Sequence, residues 1–199
     1  MNHKLDESKK RILEAAKVCF ANNGYSGTSV RQICEAADAN LALVSYYFGS
    51  KENLYYTVID YLYHINDLEL DKPITNPREA LYHFIDTFVH MRKQDKQFNM
   101  LLRHELSSEN TRKEAISKIV TPYFDHLERI LTTGKEEGVF HYESLDLILI
   151  FIISILVYPA YDSFLIDPHL TSESELMDEI KQTADFIFAG LHCQPANPI

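Results

Sequence analysis

The stretch of residues 27–51 is the part of this 199-residue sequence whose residue types and spacing best fit a chemical task. Ser29 and Gln32 have the spacing of a capping box, which predicts the start of one short helix. Asn40 is a suitable N-cap for a second short helix, and Gly49 would end it. Two short helices joined by a tight turn form a helix-turn-helix pattern. In that motif the first helix crosses the DNA backbone, and the second places its N-terminal residues against base edges in the major groove.

Four apolar residues are spaced to hold the two short helices against each other: Ile33, Ala37, Val44 and Phe48. The same spacing would also serve a helical hairpin inside any helical bundle. From the spacing alone, both a DNA-binding motif and a plain hairpin therefore stay open.

The other reactive side chains of the sequence do not form a recognisable catalytic or metal-binding pattern. The sequence has no G-x-S-x-G, no P-loop and no H-E-x-x-H motif. His83 and His90 are two helical turns apart, which is too far for an ordinary two-ligand metal site. The cysteines, Cys19, Cys34 and Cys193, lack an obvious base or resolving partner. We expect no enzyme activity, no cofactor and no metal site.

The composition is that of a globular protein, with 46% hydrophobic and 24% charged residues. The longest apolar run, residues 147–158, is interrupted only by Ser154 and has 12 residues, whereas a membrane-spanning helix needs ~20. Residues 1–10 are polar and do not resemble a secretory signal. Three widely spaced cysteines suit a reducing compartment better than a disulfide framework. We therefore expect a cytoplasmic protein without a membrane partner.

The formal net charge of −10 is unevenly distributed along the chain. Residues 1–55 hold seven Lys and Arg against six Asp and Glu, whereas residues 56–199 hold 12 against 23. A nearly neutral N-terminal segment joined to an acidic remainder is compatible with DNA binding by the first part alone. The charge by itself does not establish that function.

The chain as a whole shows helical periodicity, because apolar residues recur three or four positions apart between six dispersed glycines. The pattern predicts an all-α fold of about nine helices and no strand. Gly24 is expected to end the first helix, with a hairpin turn at Asn23-Gly24 as the alternative. Asn76 and Pro77 should open a helix, and Pro122 lies inside a later helix that it should kink.

Several segments of the sequence closely resemble the DNA-binding half of the TetR family of bacterial repressors. The resemblance covers about 45 residues from near Ile12, and its glycine, aromatic, apolar and lysine positions fall in register. Two positions depart from the family pattern. Asp38 stands where the family usually has glycine, and Ser45 stands where it often has an aromatic residue. The matching segments are Gly24-Tyr25, Thr28–Ile33, Ala36-Ala37 and Tyr46–Leu54.

The resemblance implies a DNA-contacting role for particular residues. Thr28 and Ser29 would meet a phosphate at the start of the first short helix, Tyr46 would contact the backbone, and Lys51 would attract a phosphate. In the second short helix the residues that would face bases are Asn40, Leu41, Ala42, Leu43 and Ser45. Asn can pair with adenine, and Leu or Ala can touch a thymine methyl. The full expected DNA-contacting set is Thr28, Ser29, Arg31, Asn40, Leu41, Ala42, Leu43, Ser45, Tyr46 and Lys51.

The resemblance also implies a division of the chain into two functional parts. Residues 1–50 would form a three-helix head with the motif at about 29–48, residues 51–193 a ligand-sensing and dimerisation body, and residues 194–199 a loose tail. The function expected is that of a sequence-specific repressor released from a double-stranded operator by a small molecule. The alternative is a helical dimeric interaction protein that binds DNA constitutively or not at all.

The body is expected to form a homodimer and a mainly apolar ligand pocket. The last two helices are the expected interface, with a partner-facing stripe of Leu176, Ile180, Ile187, Phe188 and Leu191. Aromatic or flexible side chains are the candidates for the pocket lining. They are Phe84, Phe88, Met91, Phe98, Met100, Leu101, Tyr123, His126, Phe151 and Tyr158.

Overall fold

The computed structural model describes residues 2–64, 70, 73–106, 113–157 and 176–192. Within these residues there are nine α-helices and no strand, which confirms the predicted all-α class. Residues 158–175, which include the end of the apolar run, and the loose tail expected at residues 194–199 lie outside the described residues. The helices are α1 (Asn2–Gly27), α2 (Val30–Ala36), α3 (Leu41–Phe48), α4 (Lys51–His64), α5 (Pro77–Gln94), α6 (Lys96–Leu106), α7 (Lys113–Glu136), α8 (Leu145–Val157) and α9 (Leu176–Gly190).

The predicted capping signals fix the ends of the two short helices. The Ser29 hydroxyl accepts a hydrogen bond from the Gln32 N–H at 3.2 Å, and Gln32 Oε1 accepts one from the Ser29 N–H at 2.7 Å. Asn40 Oδ1 accepts the Leu43 N–H at 2.9 Å at the start of α3. Gly49 ends α3 with a φ of 75°, a conformation that is inexpensive for glycine.

Two other backbone positions have a positive φ. Gly24 interrupts α1 with a φ of 68° and a ψ of 174°, and the chain continues into one more helical turn rather than a hairpin. Asp38, in the turn between α2 and α3, has a φ of 46°. Asp tolerates this left-handed conformation at some cost, so it can serve where glycine would be easier.

The chain divides into two compact units. The first unit consists of Met1–Asp67 and Asp95–Val120, and therefore contains α1 to α4, α6 and the start of α7. The second unit consists of Leu68–Gln94 and Thr121–Ile199, with α5, the remainder of α7, α8 and α9.

The core of the first unit is built on α1. Ile12, Ala16 and Phe20 are fully buried along one face of α1 at helical spacing. The helix packs against α2, α3, α4 and α6. The four apolar residues predicted to join α2 and α3, namely Ile33, Ala37, Val44 and Phe48, are all buried.

The core of the second unit lies between α5 and α9, with α8 packed on both helices. The end of α7 enters this core through a close contact between Gly134 and the ring of Phe140, where a Cβ on Gly134 would overlap the ring. The N–H of Phe140 donates to the Gly134 carbonyl at 2.9 Å, and its ring lies 6.4 Å from that of Phe188. Among the described helices, none combines the length and apolar character that a bilayer span requires.

Candidate nucleic-acid interface

Helix α3 presents one face to the core and the opposite face to solvent. Val44 and Phe48 are buried, whereas Leu41 is 60% exposed and Tyr46 is 75% exposed. Ala42 and Ser45 are also exposed. Large apolar side chains that lie together at the solvent-facing surface of a helix are typical of a contact surface. The outer face of α3, which we define as Leu41, Ala42, Ser45 and Tyr46, contains most of the residues expected to meet DNA bases.

The first turn of α3 is fixed by its cap. Asn40 is exposed, and its side chain accepts a hydrogen bond from the Leu43 N–H; the side chain of Leu43 is half-buried. A helix whose N-terminus is exposed and capped in this way can approach a polar groove end-on. Asn40 therefore both defines where α3 begins and lies where a base-edge contact was expected.

The start of α2 is the second exposed part of the motif. Ser29 is exposed, and its hydroxyl is engaged with Gln32 inside the capping box. Arg31 is exposed and forms an ion pair with Glu35 one helical turn later, with 3.2 Å between Nε and Oε1. Ser29 and Arg31 are therefore both accessible to solvent, and Glu35 partly neutralises the positive charge of Arg31.

Thr28 differs from the expectation of a phosphate contact because it is only 2% exposed. Its hydroxyl lies 2.8 Å from the Gly24 carbonyl oxygen and 3.0 Å from that of Cys19, in a geometry in which it donates to these carbonyls. Buried hydroxyl groups are normally satisfied in this way. In this fold Thr28 closes the end of α1, and Ser29 is the exposed hydroxyl at the start of α2.

Lys51 is the first residue of α4, and its ammonium group is turned toward the end of α1. The Nζ atom donates to the carbonyl oxygens of Tyr25 at 2.9 Å and Thr28 at 2.8 Å. It also lies 4.1 Å from the centroid of the Tyr25 ring, within the range of a cation–π interaction. The sequence motif located this residue correctly but gave no signal for these internal contacts.

The residues expected to line a ligand pocket fall in different places. In the second unit, Phe84 stacks on Phe88 with 4.8 Å between ring centroids, and His126 lies 6.3 Å from Phe84. Met91 and Tyr123 are buried in the same unit. Leu101 is buried and Met100 is exposed, both in the first unit, and Phe151 is 56% exposed on α8. The side chain of Phe98 and the whole of Tyr158 lie outside the described residues.

His126 is the polar member of the buried aromatic group in the second unit. Its Nδ1 lies 3.0 Å from an Arg129 guanidinium nitrogen, which also donates to the Leu70 carbonyl. Burial, together with the positive charge of Arg129, lowers the pKa of His126. Next to this pair lies an open groove of about 440 Å³, whose lining contains none of the residues expected to form the pocket. The groove is lined by Pro73, Ile74, Asp125, Glu128, Arg129, Thr132 and Thr133.

The expected partner-facing stripe of α9 is corrected by the structure. Ile180, Ile187, Phe188 and Leu191 are buried within the chain, because the amphipathic face of α9 packs on α5. Different apolar residues remain exposed on the last two helices. They are Leu147, Ile150 and Phe151 on α8, and Met177 and Phe186 on α9.

An ion cluster joins α5 to α8 and α9, and no pattern in the sequence indicated it. The Arg92 guanidinium donates to the Leu156 carbonyl at 2.8 Å and pairs with the Glu179 carboxylate. Lys93 Nζ lies 2.7 Å from the other oxygen of Glu179. Arg92 and Glu179 are both buried, so their pairing offsets part of the cost of removing the two charges from water.

Comparison with known proteins assigns the chain to a family. Residues 12–57 match the family model described as "Bacterial regulatory proteins, tetR family". Residues 77–187 match the family model described as "Tetracyclin repressor-like, C-terminal domain". These two matches together span most of the chain. The chain therefore belongs to the TetR family of bacterial regulatory proteins.

Individual relatives agree with this assignment. The chain is 29% identical over 136 residues to a protein named probable HTH-type transcriptional regulator YttP of Bacillus subtilis (strain 168), a match that covers 66% of this chain and 64% of YttP. It is 35% identical over 79 residues to the HTH-type transcriptional repressor NicS of Pseudomonas putida, covering 38% of this chain and 37% of NicS. The chain thus spans less than two thirds of the length of these curated relatives.

A solved structure covers nearly the whole fold. The crystal structure of HlyIIR, a hemolysin II transcriptional regulator, superposes with a TM-score of 0.73 and 32% sequence identity. The superposition covers 89% of this chain and 97% of HlyIIR. The resemblance therefore extends through both units and is not confined to the helix-turn-helix motif.

Proposed function

We propose that this protein is a dimeric repressor that binds a double-stranded operator through the outer face of α3 and is released by a small molecule. The observation that carries the proposal is the division of α3 into a buried face, Val44 and Phe48, and an exposed face that includes Leu41 and Tyr46. A capped recognition helix with an accessible N-terminal half can enter a major groove, whereas a hairpin of a bundle core would bury it.

The exposed residues of the motif divide by the kind of DNA contact proposed. Asn40, Ala42 and Ser45 are the candidates for base contacts, because they are exposed at the N-cap and along the outer face of α3. Ser29, Arg31 and Tyr46 are the candidates for phosphate contacts at its edges. Substitution in the first set should alter sequence preference, whereas substitution in the second should weaken binding to most sequences alike.

Direct binding to DNA tests this proposal. The full chain is titrated into a labelled duplex taken from directly upstream of its own gene, at several salt concentrations. The proposal expects specific binding that weakens as salt rises, because phosphate contacts release counterions. Binding no tighter than to a shuffled duplex of equal length would favour the alternative of an interaction protein without operator recognition.

The proposed dimer uses the exposed apolar residues of the last two helices. Ile150 and Phe151 on α8, together with Phe186 on α9, are more than half exposed in the single chain. Burying such residues against a second copy removes apolar surface from water and places two motifs on one face of the duplex. A two-fold dimer is the arrangement that a palindromic operator requires.

Sedimentation of an Ile150 variant tests the dimer. At micromolar concentration the wild type should sediment as a dimer of twice the 23.0 kDa chain mass. Ile150→Asp should sediment as a monomer, because the interface would have to bury a charge. Because Ile150 is 58% exposed, the substitution leaves the core of the chain intact. Val18→Asp, at an exposed apolar position of α1, serves as the matched control and should stay dimeric. A monomeric wild-type protein would contradict the proposed assembly.

The proposed effector site lies among the buried aromatic residues of the second unit. Phe84, Phe88 and His126 combine apolar rings with one polar group, which suits a mainly apolar ligand oriented by few hydrogen bonds. The ligand would favour a conformation of the body in which α4 moves and the two motifs no longer fit successive major grooves. Linkage then requires the operator to weaken effector binding by the same factor as effector weakens operator binding.

A further inference from the structure

Helix α6 is part of the first unit, which contains the helix-turn-helix motif, even though the chain enters α6 directly from α5 of the second unit. Two polar contacts attach its ends to the rest of the first unit. Lys17 Nζ of α1 lies 2.9 Å from Asp95 Oδ2, and the Tyr55 hydroxyl of α4 donates to Glu105 Oε1 at 2.6 Å. Leu101 is fully buried between these attachments, so α6 is held along its length.

The Tyr55 side of this attachment lies in an aromatic cluster. The ring of Tyr55 is 1% exposed and meets Phe20 edge-on, with 4.8 Å between centroids. It also meets Tyr25 at 5.2 Å and an interplanar angle of 70°. Close packing on both neighbours fixes the position of the ring. Because little free space surrounds it, a displacement of the ring caused by a change at its hydroxyl group also displaces Tyr25.

From Tyr25 the contacts continue to the start of the helix-turn-helix motif. Lys51 lies over the Tyr25 ring and donates to the carbonyl oxygens of Tyr25 and Thr28. Thr28 directly precedes Ser29, the N-cap of α2. An unbroken series of packed and hydrogen-bonded groups therefore runs from Glu105 on α6 to the first turn of α2.

We propose that Glu105 and Tyr55 are positioning residues for DNA binding, and that α6 holds the helix-turn-helix motif in its binding position through the hydrogen bond between them. The inference deepens the proposed function, on which it rests, because it names the contact through which the motif is controlled. Tyr55 is buried and does not meet DNA itself. Displacement of α6 separates Glu105 from Tyr55, loosens the series that ends at Ser29, and lowers the affinity of the motif for DNA.

Hydrogen exchange of the free protein tests this positioning role without any DNA. Tyr55→Phe removes the hydroxyl and keeps the ring against Phe20 and Tyr25. The chain offers a matched control in Tyr56→Phe, because the Tyr56 hydroxyl donates to Glu52 within α4 itself, at 2.9 Å. We expect amide exchange in α2 to be roughly threefold to tenfold faster in Tyr55→Phe, the effect of losing one hydrogen bond, and unchanged in Tyr56→Phe.

Substitution of the acceptor separates positioning from general stability. Glu105→Gln keeps an acceptor oxygen and should exchange in α2 as the wild type does, whereas Glu105→Ala should match Tyr55→Phe. Equal exchange in α2 for Tyr55→Phe and Tyr56→Phe would overturn the proposal. An increase spread evenly over residues 7–16 of α1 and over α2 would also overturn it, because that pattern marks a general loss of stability.

DNA binding by the same variants supplies a second readout. With the duplex from upstream of the gene, fluorescence anisotropy should show roughly threefold to tenfold weaker binding for Tyr55→Phe and wild-type binding for Tyr56→Phe. Equal affinities for these two variants would count against the positioning role. A wild-type protein that binds no DNA would contradict the proposed function, whereas the exchange measurement would still decide whether α6 positions the motif.

Discussion

Replacement of Lys51 by alanine tests the internal contacts of the motif most severely. The substitution removes an ammonium group that donates to the carbonyls of Tyr25 and Thr28 and lies over the Tyr25 ring. Hydrogen bonds to charged groups contribute about 1.5–3 kcal/mol each, but this ammonium is partly exposed, which reduces its contribution. Loss of the whole set should cost about 2–3 kcal/mol of folding free energy.

Thermal unfolding of the free protein measures this loss. For a chain of this size, each 1 kcal/mol lowers Tm by roughly 2–4 °C, so Lys51→Ala should lower Tm by roughly 4–12 °C. Lys118→Ala is the matched control, because Lys118 is well exposed and pairs only weakly with Glu114 on the same helix face. A Tm for Lys51→Ala within about 1 °C of the control would refute the reasoning from these contacts.

The salt dependence of DNA binding separates this structural role from the phosphate contact expected of Lys51. A lost phosphate contact reduces the slope of log affinity against log salt by about 0.9 per motif. A lost internal contact weakens binding at every salt concentration and leaves the slope unchanged. The slope for Lys51→Ala therefore shows how much of its effect comes from contact with DNA.

Two further substitutions test the second unit. Gly134→Ala should destabilise the protein by about 1–3 kcal/mol, because the added methyl group overlaps the Phe140 ring; a denaturant midpoint equal to that of the wild type would contradict this packing. The pKa of His126 is lowered in the fold, so the unfolded chain gains a proton first as the pH falls below about 6.5, and stability decreases below that pH. His126→Gln should reduce the decrease in Tm between about pH 7 and pH 5, whereas exposed His104→Gln should not; identical profiles would refute the assignment.

The capping residues show how much of the motif was predictable. Ser29, Gln32 and Asn40 act on backbone groups two or three residues away, so their sequence spacing already contains the geometry. The buried faces of α2 and α3 follow from helical periodicity for the same reason. Local interactions of this kind determine where the short helices begin, and the sequence alone was sufficient to predict them.

Thr28, Lys51 and α9 show what the sequence could not predict. The partners of Thr28 and Lys51 lie at the end of α1, and no periodicity indicates which carbonyl a hydroxyl or ammonium group will meet. Ile187 and Phe188 of α9 gave a clear amphipathic stripe, but a stripe does not specify its partner. It packs on α5 of the same chain, and the exposed apolar residues had to be found from the fold.

The assignment of α6 to the first unit is a further case. Its sequence follows α5 after a single residue, Asp95, so continuity along the chain suggests that both helices belong to one body. The contacts from Lys17 to Asp95 and from Tyr55 to Glu105 span 78 and 50 positions of the sequence, respectively. Such distant pairings are set by the tertiary fold and are invisible to local patterns.

Selection of DNA by the full chain tests the central claim most directly. Random duplexes about 30 base pairs long are enriched for binding, and the selected duplex is then titrated with the wild type, Ala42→Glu and the exposed control Ser117→Glu. We predict two inverted half-sites separated by a whole number of helical turns, binding at least roughly tenfold weaker for Ala42→Glu, and wild-type affinity for Ser117→Glu. Failure to enrich any sequence, or equal binding by Ala42→Glu and the wild type, would contradict recognition of DNA through the outer face of α3.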